Sequence, residues 1–249
     1  MFPVTRPRFT LRRFLLFFLL LSPFWPTPSQ AEGESAWDAH GAITLMSDYV
    51  VRGFSRSDSG PAVQAGVVIR HQSGFLAGFQ GTSVDFPFDR DFPSSRDIEL
   101  QALLGYGVAL GDAWSVDGLV VQYEYPETEG VVDLSYLELQ ASLRYRDQFG
   151  VLLSHTDDVF GLDLSDATVA EIYGGFPVSR RFLLFAGIGY TEFSGLDGLP
   201  SYSYRNAGVS YRVEQLDFRL AYLDSDVMDI PRWGERVSDH WAGTVTLRF

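Results

Sequence analysis

The sequence predicts an all-β protein, a single 12-stranded antiparallel up-and-down transmembrane β-barrel with short periplasmic turns and longer extracellular loops. Three observations support this fold class. Apolar and polar residues alternate in segments of about ten residues, as they do in strands with two different faces. The connections between these segments alternate between short and long. The last segment, HWAGTVTLRF, ends on Phe249 while the alternation is still running.

The alternating segments are the predicted strands. They are separated by turn residues, and no segment repeats another closely, so we predict one domain. The twelve segments are 40–51, 62–72, 75–84, 97–109, 114–125, 136–145, 149–156, 168–177, 182–192, 202–212, 215–223 and 240–249.

The connections indicate a membrane barrel. Every second one is a tight turn, such as Ser73-Gly74 or Val213-Glu214, and those between are longer, such as 85–96 and 224–239. Outer-membrane barrels sort their connections in this way, with short turns on the periplasmic side and long loops outside. A soluble all-β protein would also show alternation, and it remains the alternative at this point.

A lipid environment requires the predicted sheet to close into a barrel. Ten residues of tilted strand rise roughly 25 Å, the height of the apolar band of an outer-membrane barrel. Lipid offers no hydrogen bonds, so every backbone group must pair within the sheet. We therefore expect the last strand to pair with the first, near Ile43 to Val51.

The N-terminus has the layout of a signal peptide. Four arginines precede the apolar run Phe14 to Leu21, and Ser29-Gln30-Ala31 follows. We expect residues 1–31 to be the signal peptide and residues 32–249 the barrel. An N-terminal anchor helix is the alternative, although the run is short for a bilayer.

Composition excludes several classes of protein. The net charge is −13, and residues 32–249 hold 15 arginines against 32 acidic residues, so nucleic acid is not an expected partner. A mean hydropathy of +0.01 is too low for a helical membrane protein. The absence of cysteine removes disulfides and thiolate chemistry. We find no cofactor motif and no metal-ligand spacing.

Polar residues on the inward face of each predicted strand are the candidate pore-lining residues. They carry both charges and several amides, which is what a wet lumen requires. Aromatic residues at strand ends, namely Tyr49, Tyr123, Tyr125, Tyr145, Phe149, Phe182 and Tyr211, are predicted to form interfacial girdles. The predicted pore-lining residues are Asp48, Arg52, Gln64, Arg70, Glu99, Gln101, Gln122, Glu124, Glu138, Gln140, Arg144, Glu171, Asn206, Asp217, Arg219 and Arg248.

One region resembles a known family. SDYVVRGFSRSDSGPAVQAG (Ser47 to Gly66) and HQSGFLAGFQGTSVDF (His71 to Phe86) resemble the TorF family of proteobacterial outer-membrane barrel proteins. The likeness covers about the first third of residues 32–249 and departs from the family at Arg56, where the family tends to carry Gln. It implies an outer-membrane barrel that acts as a channel.

The expected function is a porin or channel for passive diffusion of small polar solutes in the outer membrane of a Gram-negative bacterium. An acidic set of loop residues predicts a preference for cations, and its densest group is Asp157-Asp158 with Asp163 and Asp166. The same loops could hold divalent cations that bridge lipopolysaccharide. A lumen filled by paired charges, which conducts nothing, is the alternative.

Two other functions remain open. His71 and Ser73 lie two residues apart on one face of a strand, the spacing of a lipid hydrolase pair, but they lie at a short turn. A non-conducting adhesin or scaffold is the third possibility. The expected partners are outer-membrane lipid, lipopolysaccharide, small polar solutes and the barrel assembly machinery, which would recognise Phe249.

Overall fold

The computed structural model describes residues 17–18, 22–23, 35–86, 95–126, 134–159, 165–195, 200–226 and 239–249. Phe17–Phe18 pairs with Ser22–Pro23; the rest of the predicted signal peptide lies outside the described residues. None of these residues belongs to a helix long and apolar enough to cross a bilayer. The twelve long strands are β1 (Trp37–Met46), β2 (Ala62–His71), β3 (Phe75–Phe86), β4 (Ser95–Leu110), β5 (Trp114–Glu124), β6 (Tyr136–Tyr145), β7 (Phe149–Thr156), β8 (Asp166–Pro177), β9 (Phe182–Ser194), β10 (Tyr202–Val213), β11 (Leu216–Ser225) and β12 (His240–Arg248).

The twelve strands form one closed antiparallel barrel in which each strand pairs with its neighbours in the chain. Closure joins β12 to β1, from Thr244 opposite Met46 to Arg248 opposite Ala42. Two backbone hydrogen bonds extend this pairing, from Phe249 N to Gly41 O (3.0 Å) and from Gly41 N to Phe249 O (2.8 Å). The predicted fold class is confirmed.

The connections sort by length between the two ends of the barrel. Short turns join β2–β3, β4–β5, β6–β7, β8–β9 and β10–β11 at one end, here named the turn end. The longer connections lie at the other end, the loop end. In the β6–β7 turn, Gln148 N donates to Tyr145 O at 3.0 Å, and the two residues between them, Arg146 and Asp147, have φ values of 51° and 54°, the positive φ that a type I′ turn requires at both central positions.

The two faces of the barrel differ in polarity. The outer face carries exposed apolar side chains on strands around the barrel, such as Val67, Leu104 and Leu139. This apolar surface is far larger than the patches that soluble proteins tolerate. The inner face holds buried charges such as Glu138 and Arg219. Such an inverted distribution suits lipid outside and polar contacts inside.

The first predicted strand, 40–51, is wrong in its bounds. Strand β1 begins at Trp37 and ends at Met46. Residues 47–61, here named the inward segment, leave the wall and enter the barrel. Within it Val50–Val51 pairs with Phe54–Ser55. Arg52 (φ 50°) and Gly53 (φ 85°) form the turn of this small hairpin, a backbone that Gly adopts readily.

Candidate functional site

The inward segment crosses the lumen at the loop end. The tip residue Arg52 binds Glu138 on β6. Val50, a short distance away, packs with Leu223 on β11 and Ala242 on β12. Strands β6 and β12 are six places apart in the twelve-stranded ring, so they lie on opposite walls. The segment therefore reaches from one wall of the barrel to the other.

A bidentate ion pair holds the tip of the segment. The two terminal nitrogens of Arg52 donate to the two carboxylate oxygens of Glu138, at 2.7 and 2.8 Å. Arg52 also donates to Ser154 Oγ at 2.9 Å, and Gln140 Nε2 donates to Glu138 at 2.7 Å. Paired guanidinium and carboxylate groups are among the strongest hydrogen-bonded contacts in proteins. The tip is therefore fixed to the wall.

A second ion pair holds the end of the segment. Arg56 bonds to the buried Glu99 of β4. Glu99 also accepts from Tyr125 Oη (2.7 Å), Tyr49 Oη (2.8 Å) and Gln101 Nε2 (2.6 Å). Burial opposes the charge of Arg56, but the Glu99 carboxylate outweighs it and holds the pKa of Arg56 well above its ordinary value. Arg56 therefore stays charged at any physiological pH.

Asp48 anchors the start of the segment. Its side chain is fully buried and accepts from Ser55 Oγ at 2.6 Å and from Ser57 Oγ at 2.9 Å. His240 Nε2 on β12 lies 3.1 Å from its other oxygen. Phe54 meets the ring of Tyr202 on β10 edge to face, with centroids 5.3 Å apart. The segment is thus attached along its whole length.

The turn end of the lumen holds a group of arginines around one carboxylate. Asp217 on β11 lies 2.9 Å from Arg212 Nη2, 3.2 Å from Arg219 Nε and 3.2 Å from Arg248 Nη2. We name these four residues the basic cluster. Arg219 also lies over the ring of Phe185 at 5.0 Å.

A smaller group stands on the other wall. Arg144 Nη2 lies 2.5 Å from Asp117, and Arg70 Nη1 lies 4.0 Å from the same carboxylate. Among the described side chains buried or partly buried in the barrel, the turn end thus has five arginines against Asp117, Asp147 and Asp217. The loop end has the opposite balance. Arg52 and Arg56 stand there against Asp48, Glu99, Glu138 and Glu171.

Most of the predicted pore-lining residues lie inside the barrel. Asp48 and Arg52 do so on the inward segment, and the others on inward faces of strands. These are Gln64, Arg70, Glu99, Gln101, Glu138, Gln140, Arg144, Glu171, Asn206, Asp217, Arg219 and Arg248.

Gln122 and Glu124 are the wrong predictions. They lie on the outer face of β5 near the loop end, where Gln122 Nε2 donates to Glu124 at 3.1 Å. The inward positions of β5 are taken by Tyr123 and, just beyond the strand, Tyr125. Tyr123 stacks on Tyr136 with centroids 4.4 Å apart, and Tyr125 bonds to Glu99. Aromatic packing around the inward segment therefore decides which face of β5 points inward.

The girdle prediction fails for the same reason at three positions. Tyr49, Tyr123 and Tyr125 are buried inside the barrel. At the turn end the prediction agrees with the structure, because Phe149, Phe182, Tyr211 and Tyr145 lie on the outer face. The sequence reasoning also missed Arg56, Asp117 and Arg212 as lumen residues. Asp117 and Arg212 lie on the inward faces of strands that pair with those of Arg144 and Asp217. Alternation along these neighbouring strands could therefore have identified both residues.

The pair His71 and Ser73 is close in space. Ser73 Oγ lies 2.8 Å from His71 Nδ1, and Ser73 N also donates to that nitrogen at 3.1 Å. The pair is exposed at the turn between β2 and β3, with the ring of Trp37 4.7 Å from the imidazole. Within the described parts of the chain, no group of three or more His, Asp or Glu could hold a metal. Asp163, part of the densest acidic group in the loops, lies outside those parts.

Comparison with solved structures finds porin-type barrels. The NanC porin superposes with a TM-score of 0.52 at 10% identity, over 85% of this chain and 98% of that one. An outer-membrane channel from Pseudomonas putida F1 gives 0.49 at 13% identity, over 90% and 100%. The KdgM porin gives 0.49 at 8% identity, over 85% and 98%. At these identities the NanC likeness shows the fold alone.

Comparison at the sequence level gives a family. No curated protein matches the chain. The TorF name inferred from Ser47 to Phe86 stays a prediction. A family model described as "Bacterial protein of unknown function (Gcw_chp)" matches residues 30–247, nearly all of the sequence. The chain therefore belongs to the Gcw_chp family.

Proposed function

We propose that this protein is an outer-membrane channel for passive diffusion of small polar solutes, narrowed at its loop end by the inward segment. The observation that carries the proposal is a polar interior within an apolar outer belt, closed into a barrel of porin type. The resemblance to the TorF family points the same way. On this proposal the loop end is extracellular and the turn end periplasmic.

We infer that solutes take a polar path through the lumen beside the inward segment. Gln64 and Asn206 are partly exposed on the inner wall. A solute that passes here exchanges water for amide and guanidinium groups, which suits small hydrogen-bonding molecules. The ion pairs of Arg52 and Arg56 hold the segment across the path, so only small solutes pass.

We further propose a preference for cations at the loop end. Four carboxylates stand there against two guanidinium groups. A net negative entrance raises the local concentration of cations and lowers that of anions. Some of the acidic loop residues predicted to add to this field, such as Asp89 and Glu129, lie outside the described residues. Their clustered charge makes divalent cations and lipopolysaccharide the proposed partners of this rim.

Catalysis is the second candidate, because Ser73 and His71 are within hydrogen-bonding distance. His71 Nδ1 also accepts from the backbone N of Ser73, two residues further along the chain, which is how a side-chain acceptor stabilises a tight turn. We propose that the pair has this structural role and that the protein is not an enzyme. A phospholipase assay of Ser73→Ala against the wild type tests it, and a loss of activity would contradict the proposal.

Conductance measurements test the channel. Refolded wild-type protein in a planar bilayer is expected to give small, uniform conductance steps. A variant in which Gly-Gly replaces Val50 to Ser55 should conduct several times more, because the hairpin no longer crosses the lumen. The matched control replaces Arg146-Asp147 at the turn end by Gly-Gly, which leaves the inward segment intact.

Two negative results together would refute the channel proposal. If the wild type gives no conductance and liposomes that contain it do not swell in sugars of graded size, the protein is a scaffold or adhesin. A reversal potential in a KCl gradient reports the ion preference. Anion selectivity of the wild type would contradict the cation preference, and so would a reversal potential that does not change when the acidic residues of the loop end are neutralised.

A further inference from the structure

We propose that Glu171 is a binding site for small monovalent cations inside the barrel and the residue that gives the channel its preference for cations. The inference deepens the proposed function, on which it rests, because it assigns the cation preference of the loop end to one carboxylate. Glu171 lies in the middle of β8 (Asp166–Pro177), and its side chain is on the inner face of that strand.

Glu171 differs from the other buried carboxylates of the barrel in its partners. The described residues give it one polar contact, in which Tyr204 Oη donates to Glu171 Oε2 at 2.8 Å. Arg52 acts on Glu171 through space, but the terminal nitrogens of Arg52 are bound to Glu138 and Ser154. The other buried carboxylates each lie at ion-pair distance from an arginine or a histidine, namely Asp48, Glu99, Asp117, Glu138 and Asp217.

Glu171 is also the carboxylate of this set that is most open to the lumen. It is 7% exposed, whereas the other five are 0% or 1% exposed. A carboxylate that is largely removed from water requires compensation from an opposite charge or from hydrogen bonds. The hydroxyl of Tyr204 supplies one hydrogen bond and no charge. A small cation that enters from the lumen would supply the charge.

Three adjacent strands shape the site. Glu171 on β8 is opposite Gly189 on β9, and Gly189 is opposite Tyr204 on β10. A Cβ added at Gly189 would be 2.6 Å from Tyr204 Cε1, so the tyrosine ring lies directly over the glycine. The glycine therefore lets Tyr204 reach across β9 to Glu171. The hydroxyl holds one carboxylate oxygen and leaves the other for a ligand.

The site lies just past the tip of the inward segment, on the turn-end side. Arg52 bonds to Ser154 on β7, and the next inward residue of β7 toward the turn end, Leu152, is opposite Glu171. Around the tip, Glu138 and Glu171 stand against the single guanidinium group of Arg52, which leaves a net charge of −1. A cation that passes the tip from the loop end therefore meets Glu171 before it meets the arginines of the basic cluster.

The inward segment strengthens the effect of this one carboxylate. Because the segment crosses the lumen, an ion must pass close to the wall there. A charge that is partly buried is screened less by salt than an exposed one, so its field acts fully on a nearby ion. Glu171 should therefore attract cations and repel chloride at the narrow part of the path.

Reversal potentials in a KCl gradient test the assignment. The full-length protein is refolded and inserted into a planar bilayer. Glu171→Gln removes the charge and keeps an oxygen that can accept from Tyr204. The ratio of K⁺ to Cl⁻ permeability should fall about fivefold, the factor that a unit charge about 4 Å away exerts in water. Glu171→Asp keeps the charge and should retain most of the preference.

The matched control makes the same chemical change outside the lumen. Glu124 lies on the outer face of β5, where it accepts from Gln122 Nε2 at 3.1 Å and from Ser135 Oγ at 2.7 Å. Glu124→Gln changes the net charge of the protein by the same amount and should leave the permeability ratio unchanged. Heat-modifiable migration on a gel shows which variants have folded.

Thermal unfolding tests the site without any need for conduction. Protein refolded in detergent is heated in increasing potassium chloride, and the chloride salt of the bulky cation N-methylglucamine keeps the ionic strength constant. Potassium should raise the unfolding temperature in a saturable way in the wild type and in Glu124→Gln. It should have no such effect in Glu171→Gln.

The outcomes separate this site from the channel proposal. Equal permeability ratios in the wild type and Glu171→Gln would overturn the site and keep the channel, because Glu171 would then carry no charge that ions experience. An equal fall in Glu171→Gln and Glu124→Gln would also overturn the site. A protein that does not conduct, but whose stabilisation by potassium requires Glu171, would keep the site and refute the channel. The absence of both conduction and stabilisation would refute both.

Discussion

Arg52 and Glu138 form the contact on which the position of the inward segment depends most. Their side chains are 12% and 2% exposed. Removing one partner of a buried ion pair leaves the other charge uncompensated, which typically costs about 3–5 kcal/mol. We expect Glu138→Gln to lower the unfolding free energy by about 3 kcal/mol, measured by urea titration of the refolded barrel. We also expect it to raise the conductance.

The control for this variant is an exposed pair. Arg205 and Asp224 form an ion pair at the loop end in which Arg205 is 71% exposed. Exposed pairs contribute about 0–1 kcal/mol, so Arg205→Gln should change little. If both variants lost the same stability, the pair of Arg52 and Glu138 would not be the anchor we infer.

Individual residues also show where prediction from sequence fails. Gln122 and Glu124 are polar and alternate with Tyr123 and Tyr125, so polarity alone places the wrong pair inside. The inner position of the tyrosines depends on Glu99 and Arg56, which are distant in sequence. The alternation of polar and apolar residues indicates only that a strand has two different faces. Which face points inward was decided here by packing against a segment that the alternation does not reveal.

At the scale of single elements, the β6–β7 turn has a strained backbone. Arg146 and Asp147 both have positive φ, a conformation that costs a residue with a side chain about 1 kcal/mol or more. Arg146→Gly should therefore stabilise the barrel by about 1 kcal/mol and increase the yield of refolding. Urea titration and the heat-modifiable fraction on a gel measure these effects.

The neighbouring residue provides the control for this turn. Gln148 is not among the residues with positive φ, so Gln148→Gly adds freedom to the unfolded chain and should give no gain. A gain from both variants would mean that the turn is limited by something other than its backbone geometry.

The strands were predictable because lipid and water leave few alternatives. Each strand must alternate between an apolar and a polar face, and every backbone group must find a partner, so period and loop length together define the barrel. The inward segment was not predictable from the two-residue alternation of polar and apolar residues. Val50, Val51 and Phe54 continue the apolar character of the strand before them, and the turn at Arg52 and Gly53 redirects the chain.

At the scale of the whole molecule, the apolar outer face makes the stability of the barrel depend on a lipid environment. Val67, near the middle of β2, is exposed on the outer face. An arginine near the middle of the bilayer costs about 2–4 kcal/mol, whereas one near the interface costs about 0–1 kcal/mol. Val67→Arg should therefore destabilise the barrel in lipid far more than Leu110→Arg at the turn end of β4. Equal effects on unfolding in vesicles would contradict a lipid-facing belt.

Closure of the whole barrel brings Phe249 to the seam between β12 and β1. Its backbone pairs with Gly41, and its ring lies on the outer face over that glycine, where an added Cβ would be 2.8 Å from the ring Cζ. Phe249→Ala keeps the backbone hydrogen bonds and removes only the ring, so we expect refolding in detergent to be nearly unchanged. Because Phe249 is 68% exposed, we propose that the barrel assembly machinery can recognise it.

In cells, Phe249→Ala should therefore lower the amount of folded barrel in the outer membrane, and Phe249→Tyr, which keeps an aromatic ring, should restore most of it. The folded amount is measured by heat-modifiable migration in membrane fractions, beside the refolding yield of the same proteins in vitro. If both yields fell together, the ring would act on closure of the seam rather than on recognition. If neither fell, assembly would not depend on Phe249.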